Sequence, residues 1–181
     1  MTDNAKKYLS WLITASICMF LLIMIITAKW FPDKTAYDCI GYTVTVITLL
    51  TVVYVKWLWR FNPLEKTPKL KKKYTGVLIS NYDKQRRKME LTIKQSLLSI
   101  RVYITTEESE SKSIISDIQD DCDQMWLTYG YLNIPNAVVR DRSEIHYGMC
   151  RLLVDDVKLL KGQYFTDRKT LGDIELNAIE K

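Results

Sequence analysis

No charged side chain occurs between Tyr8 and Ala28, and none between Cys39 and Val55. A helix that crosses a bilayer needs about 20 mostly apolar residues. The first run reaches that length alone; the second reaches it by including Ala36–Asp38, which sets Asp38 at an interface. A secretory signal peptide has a shorter apolar stretch, roughly 7–15 residues, and a small-residue cleavage site. Neither fits here, so the runs predict an uncleaved transmembrane hairpin over residues 1–60, with helices at about 8–28 and 36–57. The connection Lys29–Thr35 is short and contains Pro32, which makes the helices antiparallel neighbours. Tyr8 and Trp11 match Trp57 and Trp59 at one interface, and Trp30, Phe31 and Tyr37 mark the other. Ser10, Thr14 and Cys18 recur on the first helix; Gly41, Thr45 and Thr48 form a similar stripe on the second. Small residues at this spacing let helices pack closely in lipid, unless the hydroxyls bond their own backbone carbonyls.

The net charge of +5 is unevenly distributed. Residues 1–55 carry +1, residues 56–73 carry +6 and residues 74–181 carry −2. The surplus is a collar of Lys56, Arg60, Lys66, Lys69, Lys71, Lys72 and Lys73 directly after the second helix. A basic run is also a mark of nucleic-acid binding, but this position favours an anionic lipid surface over a DNA or RNA polymer. Lys and Arg stay on the cytoplasmic side of a membrane, so the collar, with Lys6 and Lys7, predicts that both termini are cytoplasmic. Cys18 and Cys39 fall in or near the membrane, and Cys122 and Cys150 beyond it. No C-x-x-C or Cys/His cluster accompanies them, so no metal site, redox pair or cofactor is indicated.

Residues 61–73, with Pro63 and Pro68, read as a basic linker. Beyond it the hydrophobic period changes from helical to two. Candidate strands are Tyr74–Asn81, Lys88–Gln95, Leu98–Thr105, Ser109–Ile118, Gln124–Leu132, Glu144–Val154, Lys158–Thr166 and Leu171–Ala178. Short strands at regular spacing with polar turns indicate an all-β sandwich or barrel. Eight of them over residues 74–181 suit an antiparallel up-and-down, lipocalin-like barrel, whose interior fills with side chains or holds one small ligand.

Alternation assigns the faces. Glu110 and Lys112 belong to water, which turns Ser109, Ser111 and Ser113 inward. Leu127, Tyr129 and Tyr131 share a face, as do His146, Gly148, Cys150 and Leu152. Lys161 and Gln163 point outward, so Gly162, Tyr164 and Thr166 point inward, with Arg168 at the mouth. Buried polar groups without partners cost about 1–3 kcal/mol each, so such a wall must bond within itself, to water or to a ligand. Aromatic rings stack on bases, and hydroxyls and arginine serve phosphate oxygens. No Gly-rich phosphate loop, nucleophile elbow or metal-ligand spacing occurs, and His146 stands alone, so the residues point away from an enzyme.

The segments SESKS, LTYGYLNIP, HYGMC and LKGQYFTDRKTLGDIEL, behind a two-helix membrane anchor, resemble the two-transmembrane, β-strand-rich effectors of CBASS anti-phage systems, the CD-NTase-associated proteins. The resemblance implies a minimal barrel that binds a cyclic dinucleotide made by a partner nucleotidyltransferase. It further implies self-association on binding and disruption of the bacterial inner membrane, killing the infected cell. Carried over, it implies Ser109, Ser111, Ser113, Tyr129, Tyr131, Tyr164, Thr166 and Arg168 as ligand contacts. The alternative is a membrane-anchored lipocalin-like lipid binder; against it, the expected G-x-W opening reads Gly76-Val77-Leu78.

Overall fold

The computed structural model describes residues 3–30, 33 and 35–179. Phe31, Pro32 and Lys34 of the expected turn lie outside them. The chain divides into two compact units, Met1–Trp59 and Arg60–Lys181.

The first unit is a helical hairpin of α1 (Asp3–Trp30) and α2 (Ala36–Lys56). Within them, Ser10–Trp30 and Tyr37–Lys56 are long and apolar enough to cross a bilayer. The start of α2 is fixed by a reciprocal cap. Asp38 N donates to Thr35 Oγ1 at 3.4 Å, while Thr35 N donates to the Asp38 carboxylate at 2.8 Å. Each side chain thereby satisfies a backbone donor that the first turn leaves open. The helices meet along a face that the small-residue stripe did not pick out. Gly41, Thr45 and Thr48 are exposed, and Thr45 Oγ1 donates to its own helix at Gly41 O, 2.9 Å away. Contact with α1 runs instead through Cys39 and Thr43, which are buried, and continues along the half-buried Ile47 and Thr51. Thr27 Oγ1 lies 3.1 Å from Cys39 Sγ across the pair. The helix is apolar all round, so its pattern does not single out a face, and the contact with α1 falls on bulkier side chains than the stripe.

A 3₁₀ turn, Leu58–Phe61, spans the division, and the second unit is a closed antiparallel barrel in chain order. Its strands are β1 (Lys73–Ser80), β2 (Arg86–Gln95), β3 (Ile100–Thr106), β4 (Ser109–Asp121), β5 (Gln124–Pro135), β6 (His146–Asp156), β7 (Leu159–Thr166) and β8 (Leu171–Ala178). β1 closes on β8 from Tyr74↔Ala178 to Ser80↔Gly172. Period-two alternation sends Met89, Leu91 and Ile93 of β2, Ile100, Val102 and Ile104 of β3, and Leu127 and Tyr129 of β5 into the core. The other wall supplies Cys150, Leu152, Val154, Leu160, Ile174 and Leu176.

The interior is graded along its axis. Where the chain enters, at Lys73, the inward positions are mostly apolar and the opening is plugged. Leu70 is buried there, with its N–H donating to Gln95 Oε1 at 3.0 Å, and Gln95 Nε2 donates to Pro68 O at 2.8 Å. Tyr74 completes the base by donating to Val157 O at 2.7 Å and accepting from Lys71 N at 2.9 Å. The final residues of the expected linker are thus a built part of the barrel floor.

One seam is weaker than the others. β3 and β4 pair directly only at Tyr103↔Lys112, Ile104↔Ser111 and Thr105↔Glu110, because a bulge between Ser113 and Ile115 shifts β4. Two serines stitch the gap: Ser113 Oγ accepts from Val102 N at 2.9 Å, and Ser116 Oγ donates to Ile100 O at 2.5 Å.

Candidate functional site

The polar inward side chains gather at the end opposite the plug. That end is framed by the C-termini of β1, β3, β5 and β7 and the N-termini of β2, β4, β6 and β8, so antiparallel order alone brings these segments together. Ser80, Ser111, Asn133, Tyr131, Tyr164 and Thr166 are all buried there. Ser111 Oγ donates to Asn133 Oδ1 at 2.7 Å, and Thr166 Oγ1 lies 2.7 Å from Thr170 Oγ1.

Two tyrosines lie flat against the wall. Tyr131 is registered directly opposite Gly148, and a Cβ on that glycine would fall 2.4 Å from the ring's Cζ and Oη. Tyr164 is likewise opposite Gly172, where a Cβ would fall 2.7 Å from Cε1. A side chain at Gly148 would push the Tyr131 ring off the wall, and one at Gly172 would meet both the Ile79 carbonyl and the Tyr164 ring, so both glycines make room for the aromatic faces. Below them, Tyr129 is fully buried with its ring centroid 6.0 Å from that of Tyr131. Its hydroxyl has no hydrogen-bonding oxygen or nitrogen partner among the described residues and faces the Cys150 thiol. Burial raises the pKa of Tyr129 and Tyr131, with Cys150 adding to both. Burial pushes the Cys150 thiol up to about 12, against the pull of the Tyr129 hydroxyl. All three groups therefore stay protonated at neutral pH.

The rim carries the charge. Arg87 is bound by Asp83 of the β1–β2 turn, and Arg142 of the loop between β5 and β6 is bound by Glu108 of the β3–β4 turn. Arg168, in the β7–β8 turn, is exposed and donates to Ser143 Oγ at 3.0 Å and Arg142 O at 3.3 Å. With Asn136 Nδ2 donating to Glu107 O at 3.2 Å, these contacts tie the long loop from Asn136 to Ile145 across the mouth's edge.

The structure therefore brings together most of the residues the sequence singled out. Ser111, Tyr131, Tyr164 and Thr166 line the mouth, Ser109 stands at its lip with Oγ 3.1 Å from Thr106 Oγ1, and Tyr129 is one layer deeper. Ser113 is separated from them in role, since its hydroxyl is held by the β3–β4 seam. Arg168 holds a loop. Sequence reasoning missed Arg87, Asn133 and the Glu108–Arg142 pair. Arg87 and Asn133 continue the inward rows of β2 and β5, and each was lost because its strand was ended one residue short.

A groove of about 420 Å³ also occurs on the outer wall, lined by Val77, Ile79, Trp126, Leu153, Asp173 and Glu175 among others. Arg86 and Lys161 stand there against Asp173 and Glu175, and Lys161 is paired with Glu175, so the groove's charges balance; the inward hydroxyl and amide groups gather at the mouth instead.

Comparison with known proteins places this architecture. Residues 65–178 match the family model described as Cap15, cyclic dinucleotide receptor domain. A CD-NTase-associated protein 15 from Staphylococcus schleiferi is 29% identical over 166 residues, covering 90% of this chain and 91% of the relative. Another, from Escherichia albertii, is 26% identical over 162 residues, covering 81% and 84%. The matched segment includes the whole barrel from β1 to β8 and more than half of the chain. The chain belongs to the Cap15 family of CD-NTase-associated proteins, and its barrel is that family's receptor domain.

Proposed function

We propose that the chain is an effector of bacterial CBASS anti-phage defence whose barrel mouth binds a cyclic dinucleotide made by a partner nucleotidyltransferase. The carrying observation is the pair of tyrosine faces laid over Gly148 and Gly172 inside a ring of hydroxyl and amide groups. A cyclic dinucleotide offers matching chemistry: two flat bases for the rings and two phosphates for hydroxyls and rim arginines. Ser109, Ser111, Tyr131, Tyr164 and Thr166 are the wall contacts of this reading, with Tyr129 beneath them and Arg168 holding the loop above. The role is reception, without catalysis.

The hairpin supplies the response. It sits in the bacterial inner membrane with both termini cytoplasmic, which puts the barrel where a soluble nucleotide is made. A lone hairpin has no interior to line with water, so membrane damage requires several brought together. Ligand shifts that assembly only through its differential affinity for the assembled and dispersed states. Confinement to the bilayer raises the local concentration of barrels and lowers the contact energy required.

The test is thermal unfolding of the detergent-solubilised chain against 3′,3′-linked cyclic dipurine, dipyrimidine and mixed dinucleotides. At ligand one hundred times its dissociation constant the folded state gains about 2.7 kcal/mol. Stabilisation by one of the nucleotides is the expected result. No shift with any nucleotide, and a shift with long-chain fatty acids, selects the lipid-binding alternative. For topology, a C-terminal reporter active only outside the cytoplasm overturns the orientation.

A further inference from the structure

Arg87 is the one cationic side chain on the barrel's eight inward rows among the described residues. It stands opposite Leu78 in register and two positions before Met89, Leu91 and Ile93, all of which enter the core. Being nearest the mouth, its guanidinium reaches the rim, where 27% of the side chain is exposed. Both terminal nitrogens are engaged by a single carboxylate. Nη1 donates to Asp83 Oδ1 at 3.0 Å, and Nη2 donates to Oδ2. Glu108 of the β3–β4 turn adds a second negative charge near it, and the neutral Tyr164 phenol of β7 lies close enough to enter its electrostatics. The cation thus lies on the same side of the mouth as one of the two tyrosines.

A carboxylate and a phosphate present the same pair of oxygens to a guanidinium. Asp83 belongs to a five-residue turn, Asn81 to Gln85, where its Oδ1 also accepts from Gln85 N at 3.1 Å, so its withdrawal gives up that turn bond but no cross-strand pair. Arg168 is placed differently: it is exposed, off the inward rows, and engaged by the loop. We propose that Arg87 is the wall's phosphate contact and that Asp83 is an internal stand-in for the phosphate, which the ligand displaces. This rests on the nucleotide reading above and deepens it. Affinity is then set by a difference between two bidentate anions rather than by the phosphate contact alone. The site is held below its attainable affinity, so that a low resting level of nucleotide leaves it empty.

Isothermal titration of the full chain in detergent, with the same nucleotides at two salt concentrations, tests both halves. Loss of a charged hydrogen bond is worth about 1.5–3 kcal/mol, so Arg87→Gln is expected to weaken binding about ten- to a hundredfold. It also flattens the salt dependence, because one charge contact is gone. Arg87→Lys keeps the charge and remains informative should the glutamine variant fail to fold; it restores only part of the affinity. Asp83→Asn is expected to tighten binding severalfold. Lys161→Ala, on the outer face, leaves binding unchanged. If the unsubstituted chain binds while Arg87→Gln or Arg87→Lys binds equally well, the phosphate contact is overturned and the nucleotide reading stands. If Asp83→Asn weakens binding, Asp83 positions Arg87 and the stand-in is overturned. If no nucleotide binds the unsubstituted chain, the nucleotide reading falls and takes this inference with it.

Discussion

Tyr129 carries a buried hydroxyl without a conventional partner, and a protein keeps such a group at a cost of about 1–3 kcal/mol. Tyr129→Phe removes the polar atom and retains the ring, so the ligand-free chain is expected to melt at the same temperature or higher. A clear fall in melting temperature would reveal a buried water bonded to that oxygen. The same cluster sets the alkaline limit of the barrel. Tyr129, Tyr131 and Cys150 all have raised folded pKa values, with Cys150 at about 12. The native state therefore holds protons that the unfolded chain releases. Stability is complete below about pH 9, near the unfolded thiol and phenol values, and is lost as pH rises toward 12. Thermal melts across pH 7 to 11 should be flat and then fall, and Cys150→Val should shallow the fall. At the acid end the sign is reversed. The Arg87 guanidinium holds Asp83 at about 2, so that group's contribution is present above about pH 4 and lost as pH drops toward 2.

Among the elements, the β3–β4 seam shows best how sequence and structure part company. Alternation placed Ser109, Ser111 and Ser113 on one face, and the structure places them so. It could not show that the ladder breaks one residue later, because a bulge depends on the partner strand and not on its own sequence. Ser113 is therefore a repair of the backbone. Ser113→Ala leaves the fully buried Val102 N–H unpaired and is expected to destabilise the barrel by about 1–3 kcal/mol in denaturant unfolding. The β4–β5 hairpin gives the opposite case. Asp121 pairs with Gln124 across a two-residue turn, Cys122-Asp123, whose φ angles are 54° and 64°. This is the geometry that favours Asn-Gly. Changing Cys122→Asn and Asp123→Gly together should raise stability by about 0.5–1 kcal/mol, the left-handed strain relieved outweighing the entropy glycine adds to the unfolded chain, checked by the same unfolding experiment. Strand identities and inward faces were legible because period two is a strong local signal. Boundaries were not: Arg87 and Asn133 sat just past strand ends drawn at Lys88 and Leu132. The face on which α2 meets α1 was hidden for a different reason, since a helix apolar on every side carries no directional pattern.

At the scale of the molecule, the two units divide the proposed labour, and the division can be cut. Residues 61–181 expressed alone are expected to bind the nucleotide with the affinity of the full chain. They should leave cells impermeable to an otherwise excluded dye. The full chain with nucleotide should form larger oligomers by light scattering and admit the dye. Leakage caused by the truncated barrel, or by the full chain without nucleotide at native expression, would sink the coupling of reception to membrane damage.

The plugged floor has a kinetic consequence. With Leu70 and Tyr74 stopping one end, a nucleotide bound as proposed would enter and leave by the same door. How long the alarm outlasts its messenger is then governed by the escape rate past the Asn136–Ile145 strap and the arginine rim. Loosening the strap through Arg142 would then shorten the dwell time.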